Sequence, residues 1–168
     1  MFRVNDIIDL PVIQSMTGQR LCTIRDVIID MRENKVYALV CKERILKRSL
    51  EAIPFRNIVS ITQNSVIASG KASQISISAL GIKYRRFQSY RNVLGKMVLS
   101  PKGETLGIIR DLLINTSTGI ISAYELSEGY LDDIIKGRHI VELECGHTLS
   151  GKNLVLLDCG TKYQFSNK

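Results

Sequence analysis

Between Leu21 and Asp30, apolar and polar residues alternate without sorting to one side. Ile24, Asp26, Ile28 and Asp30 project one way, and Arg25, Val27 and Ile29 the other. This predicts a strand in a small, strongly curved sheet, kinked at Arg25-Asp26. Val36-Tyr37-Ala38-Leu39-Val40-Cys41 is a near-continuous β run, the pattern of a strand covered on both faces. Upstream, Val12-Ile13 reads as a strand and Ser15-Met16-Thr17-Gly18 as a turn in which Gly18 supplies positive φ. Downstream, a polar hairpin around Lys42-Glu43-Arg44 leads to Ile45-Leu46. Ile53-Pro54-Phe55, Ile58 to Ile61 and Val66 to Ala68 then complete a β unit. Proline at 54 cannot donate to a ladder, which places it at a strand start or a sheet edge. The leader, Met1 to Leu10, carries Ile7, Ile8 and Leu10 to lie across one end of this unit.

The same pattern occurs twice. Gly18 to Cys41 recurs as Gly103 to Leu126 at a constant offset of 85, and Ile24-Arg25-Asp26 returns as Ile109-Arg110-Asp111. After residue 126 the offset grows to about 89, with Val155 matched to Val66. The added residues fall at 129–137, where Leu131, Ile134 and Ile135 have helical spacing and Gly137 is placed to stop the turn. The expected organisation is a first β domain over 1–70, a connector over 71–90 and a second β domain over 91–168. Within the connector, Ile75, Ile77 and Leu80 mark a short edge strand.

Composition adds two constraints. The 168 residues are 45% hydrophobic and 23% charged, a globular balance, yet each half is small enough for a marginal core of its own. The halves are therefore expected to pack together or to dimerise. The formal charge of +7 is unevenly placed. From Ala52 to Gly103 there is no Asp or Glu, while Arg56, Lys71, Lys83, Arg85, Arg86, Arg91, Lys96 and Lys102 carry all of the excess. Asp6 and Asp9 interrupt the segment where a secretory signal would be apolar, and no apolar run approaches the ~20 residues that span a bilayer. A cytoplasmic location follows as the expectation. Cys22, Cys41, Cys145 and Cys159 have unrelated spacings, so reduced thiols are expected.

Gly103-Glu104-Thr105-Leu106-Gly107-Ile108-Ile109-Arg110-Asp111-Leu112-Leu113-Ile114 resembles the PRC-barrel domain, named for the photosynthetic reaction centre H subunit and found also at the C-terminus of the ribosome maturation factor RimM. The motif is a turn glycine, then Leu-Gly, then an Asp four residues on among aliphatics. The resemblance covers both halves, in an arrangement similar to YrrD-like tandem proteins of spore-forming bacteria. The first copy departs at Cys22, which stands where the second has Gly107. The resemblance implies an all-β protein of two tandem, partly open barrels acting as a docking module, with no catalytic residues. The RimM precedent implies association with ribosomal components as an alternative.

Four groups of residues invite a chemical reading. Arg25-Asp26 and Arg110-Asp111 are charged and duplicated, but no base, acid or metal ligand is repeated with them. The bland reading has Asp accepting backbone N–H groups at the bend and Arg covering apolar surface with its stem. Gly146 to Asn153 nearly matches a phosphate loop, but Asn153 replaces the Mg²⁺-binding hydroxyl and a strand follows instead of a helix. Cys145, His147 and Cys159 supply three zinc ligands at best. The fourth group is Lys83, Tyr84, Arg85, Arg86, Phe87, Tyr90 and Arg91, whose cations can neutralise phosphates while the aromatics stack on unpaired bases. The same residues suit an acidic protein or anionic headgroups, and the bland reading is a linker anchored between two barrels by its aromatics.

These readings converge on a non-enzymatic adaptor binding a protein partner, with no cofactor and no metal. Association with RNA or the ribosome through the basic connector is the alternative. A membrane surface and a homodimer are further expected partners.

Overall fold

The strand that alternates on both sides does so because it changes phase. In the computed structural model, described for residues 1–41, 51–69, 75–76, 86–127, 139–143, 147–150, 153–156 and 166–167, the first repeat contains β1 (Phe2–Arg3), β2 (Pro11–Gln14), β3 (Arg20–Asp30), β4 (Lys35–Cys41), β5 (Glu51–Pro54), β6 (Ile58–Ile61), β7 (Val66–Ala68) and β8 (Ile75–Ser76). β3 pairs with β4 so that Ile24 faces Cys41 and Asp26 faces Val40, leaving Arg25 as the extra residue of a β-bulge. Ile24 is buried before the bulge and Val27 and Ile29 after it, so the inward positions pass from even to odd numbers. The kink expected at Arg25-Asp26 is this bulge.

The second repeat contains β9 (Phe87–Ser89), the four-residue helix α1 (Tyr90–Val93), β10 (Met97–Leu99), β11 (Thr105–Ile114), β12 (Ile121–Ser127), β13 (His139–Glu142), β14 (His147–Ser150), β15 (Asn153–Leu156) and β16 (Ser166–Asn167). Its bulge falls at Arg110, between Ile109 and Asp111, with the same change of phase: Ile109 is buried before it, Leu112 and Ile114 after it. The two sheets run in the same order, β6-β7-β2-β3-β4-β5-β8 and β14-β15-β10-β11-β12-β13-β16, and neither closes among the described residues. Among the described strands each has one parallel pair, Val12 beside Val66 in the first and Val98 beside Leu154 in the second. Leu154, not Val155, is therefore the counterpart of Val66, and Leu154 is the one with its side chain inward.

Other expectations divide as follows. Pro54 ends β5 instead of starting it; it pairs with Ala38, and β8 reaches only Glu51 and Ala52, so no described strand needs the missing N–H. Ile75 begins an edge strand as expected. Cys22 and Cys41 form a disulfide, where reduced thiols were expected. They lie diagonally on adjacent strands β3 and β4, with Cα atoms 5.8 Å apart, inside the range a disulfide spans. The expected hairpin at 42–46, the remaining connector positions Ile77 and Leu80, and the short helix within 129–137 lie outside the described residues.

The two repeats exchange their leading arms. β1, the leading arm of the first repeat, pairs with β11 of the second, Phe2 facing Ile114. β9, the leading arm of the second repeat, pairs with β3 of the first, Phe87 facing Asp30. Each arm then turns back to its own sheet, through a 3-10 turn at Asn5–Ile7 or through α1. A second set of bonds follows the same pseudo-two-fold relation: Lys35 bridges Ile120, its own equivalent at the offset of 85. Val36 N–H donates to Gly119 O at 2.8 Å, and Ile121 N–H to Asn34 O at 2.9 Å, each bond the image of the other. One apolar cluster consequently draws on both repeats, with Val4, Ile7, Ile29, Leu39, Tyr90, Leu112, Ile114 and Tyr124 among its members. Two small sheets that would each bury little alone share a core.

Candidate functional site at the seam between the repeats

The repeated aspartates lie where the arms cross. Leaving the bulge, the backbone presents an N–H that the aspartate itself accepts: Val27 N–H to Asp26 Oδ1 at 2.8 Å, and Leu112 N–H to Asp111 Oδ1 at 2.7 Å. Each aspartate then holds an arm. Ser89 donates to Asp26 Oδ2 at 2.5 Å, while Asp111 accepts from the Tyr90 hydroxyl at 2.8 Å and from Asn5 N–H at 3.3 Å. Burial pushes the Asp111 carboxyl above its ordinary range, against the pull of these hydrogen bonds, and nearby Glu125 pushes in the same direction. Burial and the adjoining carboxylate likewise push the Tyr90 hydroxyl up.

An arginine fork fastens each arm. On the second sheet, Arg3 donates to buried Glu125 at 2.8 and 3.2 Å, which raises the guanidinium pKa. On the first, Arg86 donates to Asp30 through Nε at 2.9 Å and Nη2 at 2.6 Å, and Asp30 also accepts from Arg32 and Glu33 N–H. Burial of Asp30 raises its pKa, but the Arg86 fork and the two backbone donors outweigh this and hold the carboxyl below its ordinary value. The sign follows: stability from this site is complete above the unfolded carboxylate pKa of about 3.9 and is lost as pH falls through the lower folded value. Urea midpoints measured between about pH 2 and 7 should fall across that acid window, and Arg86→Ala should flatten this part of the profile. An unchanged profile would dissociate the fork from stability.

Of the basic aromatic segment, Lys83, Tyr84 and Arg85 lie outside the described residues. Arg86 is the fork just described, and its guanidinium also lies 5.1 Å from the centre of the Phe87 ring. Phe87 packs at 4.5 Å on Tyr37. Tyr90 is 3% exposed and offers no ring face to a nucleobase. Arg91 is exposed and donates to Arg25 O at 3.3 Å. Phe87 thus fastens the connector to the first sheet, and Tyr90 fastens it to Asp111 of the second.

Within the Gly146–Asn153 segment, His147–Ser150 forms β14 and Asn153 opens β15, its antiparallel partner, so among the described residues a strand and not a helix N-terminus follows. Cys145 and Cys159 lie outside the described residues. No helix among the described residues is long and apolar enough to cross a membrane.

Concave regions flank the seam among the described residues. One, of about 470 Å³, is lined by Met1, Phe2, Asp6 and Gln63. A second, of about 300 Å³, is lined by Lys35, Val36, Tyr37, Pro54, Phe55, Arg56 and Thr118. Lys35 and Arg56 of this second groove carry no motif, and comparing the repeats position by position singles out Lys35: Ile120 and Ser122 stand where the first copy has Lys35 and Tyr37.

The PRC-barrel domain model matches residues 1–75 and 86–158. The chain is also 26% identical over 132 residues to a Bacillus subtilis (strain 168) protein described as "Uncharacterized protein YrrD", across 79% of this chain and 73% of the relative. The duplicated turn-glycine, bulge and aspartate are thus two copies of one domain, and the chain belongs to the PRC-barrel family.

Proposed function

We propose that this protein is a non-enzymatic adaptor that presents the face between its two barrels to a protein partner. The observation that supports this reading most is the reciprocal exchange of arms. It joins two small sheets into one body and commits Asp26, Asp111, Asp30 and Glu125 to holding the arms. A rigid, preassembled surface costs little ordering when a partner docks. Affinity purification of the full chain from native lysate, with and without nuclease, should retain a stoichiometric protein partner in both samples. Recovery of bare monomer alone, in pull-down and in size exclusion, would sink the reading.

The acid-free stretch from Ala52 to Gly103 supports RNA or ribosome association as the second reading. Arg86→Ala is a poor probe of it, because it unfastens an arm. Arg85→Ala/Arg91→Ala is the better variant; weaker RNA binding with a reduced salt slope would favour this reading over the adaptor.

A further inference from the structure

We propose that the groove between the repeats, where Thr118 meets Lys35, Phe55 and Arg56, binds the phosphate group of a small molecule. Its volume of about 300 Å³ is at the lower end for small-ligand sites, the size of a phosphomonoester with one ring. Lys35 and Arg56 bring two cations from separate elements, and no Asp or Glu is among the described residues that line it. A guanidinium fork beside an ammonium suits a phosphate dianion, the first by planar bidentate geometry and the second as a point charge. Thr118 Oγ1 accepts from Ile120 N–H at 3.3 Å, which leaves its own O–H to donate. Val36, Pro54 and Phe55 form an apolar wall beside these donors, a surface for the organic part of an ester.

The pseudo-two-fold relation supplies the control. The backbone bonds that border the groove, Val36 to Gly119 and Ile121 to Asn34, are images of each other about the Lys35–Ile120 bridge, so the fold asks the same backbone of both grooves. The side chains nevertheless differ. Lys35 is matched by Ile120 and Tyr37 by Ser122. The sheet register, which sets Pro54 against Ala38 and Glu142 against Ala123, matches Pro54 by Glu142 and Phe55 by Leu143. One groove is cationic and its image has lost the cation at this position and gained a carboxylate. Architecture therefore does not require Lys35, whereas an anionic ligand does. The backbone at Lys35 is held by the bridge to Ile120 and the Val36 bond to Gly119, so the site is built before a ligand arrives.

The test is amide NMR of the full chain at constant ionic strength, titrated with inorganic phosphate in one arm and phenyl phosphate in the other. Saturable shifts at Lys35, Val36, Arg56 and Thr118 are expected, with Kd in the range of about 0.1–5 mM. Phenyl phosphate should bind several-fold tighter through the apolar wall, identifying an ester as the ligand; equal affinities would assign the site to free phosphate. Lys35→Gln/Arg56→Gln, whose spectrum should otherwise superimpose on the parent, should weaken binding at least about tenfold. Absence of saturable shifts at these residues, shifts that persist in the double variant, or shifts confined to 83–91 would overturn the proposal.

Discussion

Replacing Gly119 by alanine should lower the unfolding free energy by about 2–4 kcal/mol, the combined scale of a left-handed non-glycine residue and of overpacking. Gly119 has φ +75°, and a Cβ there would lie 2.7 Å from Phe55 Cε1 and 2.8 Å from Cδ1. Its carbonyl accepts from Val36 N–H and its own N–H donates to Asn115 O, so the backbone cannot withdraw without breaking the seam. Phe55 belongs to the shared core and cannot swing clear. The control is Gly103→Ala. Gly103 has φ +86° but nothing within 4 Å of the added atom, so only the backbone term of about 1 kcal/mol applies. Urea unfolding of the two variants measures the difference. Equal losses would show that Phe55 and Gly119 do not meet as described.

The second large effect concerns Tyr90, the residue of the connector with the most to say about function. Its ring is buried in the core that the two sheets share, and its hydroxyl donates to Asp111. Tyr90→Ala should cost about 3–5 kcal/mol through the cavity it leaves. Tyr90→Phe keeps the ring and removes the donor, at about 1–3 kcal/mol, because a buried carboxylate loses a partner. The pH dependence gives an independent check. The Asp111 carboxyl is raised in the folded state, so its ionisation weakens the fold as pH rises through the interval between the unfolded and folded values. Loss of the Tyr90 hydroxyl raises it further. Tyr90→Phe should therefore lose more stability at neutral pH than below about pH 4, as read from urea midpoints at each pH. A loss independent of pH would mean that the hydroxyl does not stabilise the ionised carboxylate. Weaker partner binding by Tyr90→Ala would then report unfolding and not a lost contact.

Much of the architecture is legible in the residues themselves. The offset of 85, the turn glycines at 18 and 103, and the doubled Ile-Arg-Asp identify two copies of one β unit, and the copies fold as sheets of identical strand order. The absence of a purely apolar face on β3 points to a kink, because a bulge at Arg25 shifts the inward phase by one residue. The site is less legible. Arg86, Phe87 and Tyr90 have the composition of an exposed basic aromatic segment, yet pairing, ring packing and burial are properties of what faces them. Asp30 and Asp111 are distant in sequence, and Lys35 and Arg56 have no motif spacing at all.

What the sequence determined by itself is the repeating unit. Alternation, bulge and turn are set by steric and hydrogen-bonding preferences within some ten residues, so they recur wherever the residues recur. Only the tertiary structure decided that each unit gives its leading arm to the other, because nothing local distinguishes a strand that pairs at home from one that pairs 110 residues away. That choice is made by burial: Val4, Ile7 and Tyr90 lose their water only when both sheets are present, and their carboxylate and arginine fasteners assemble with them.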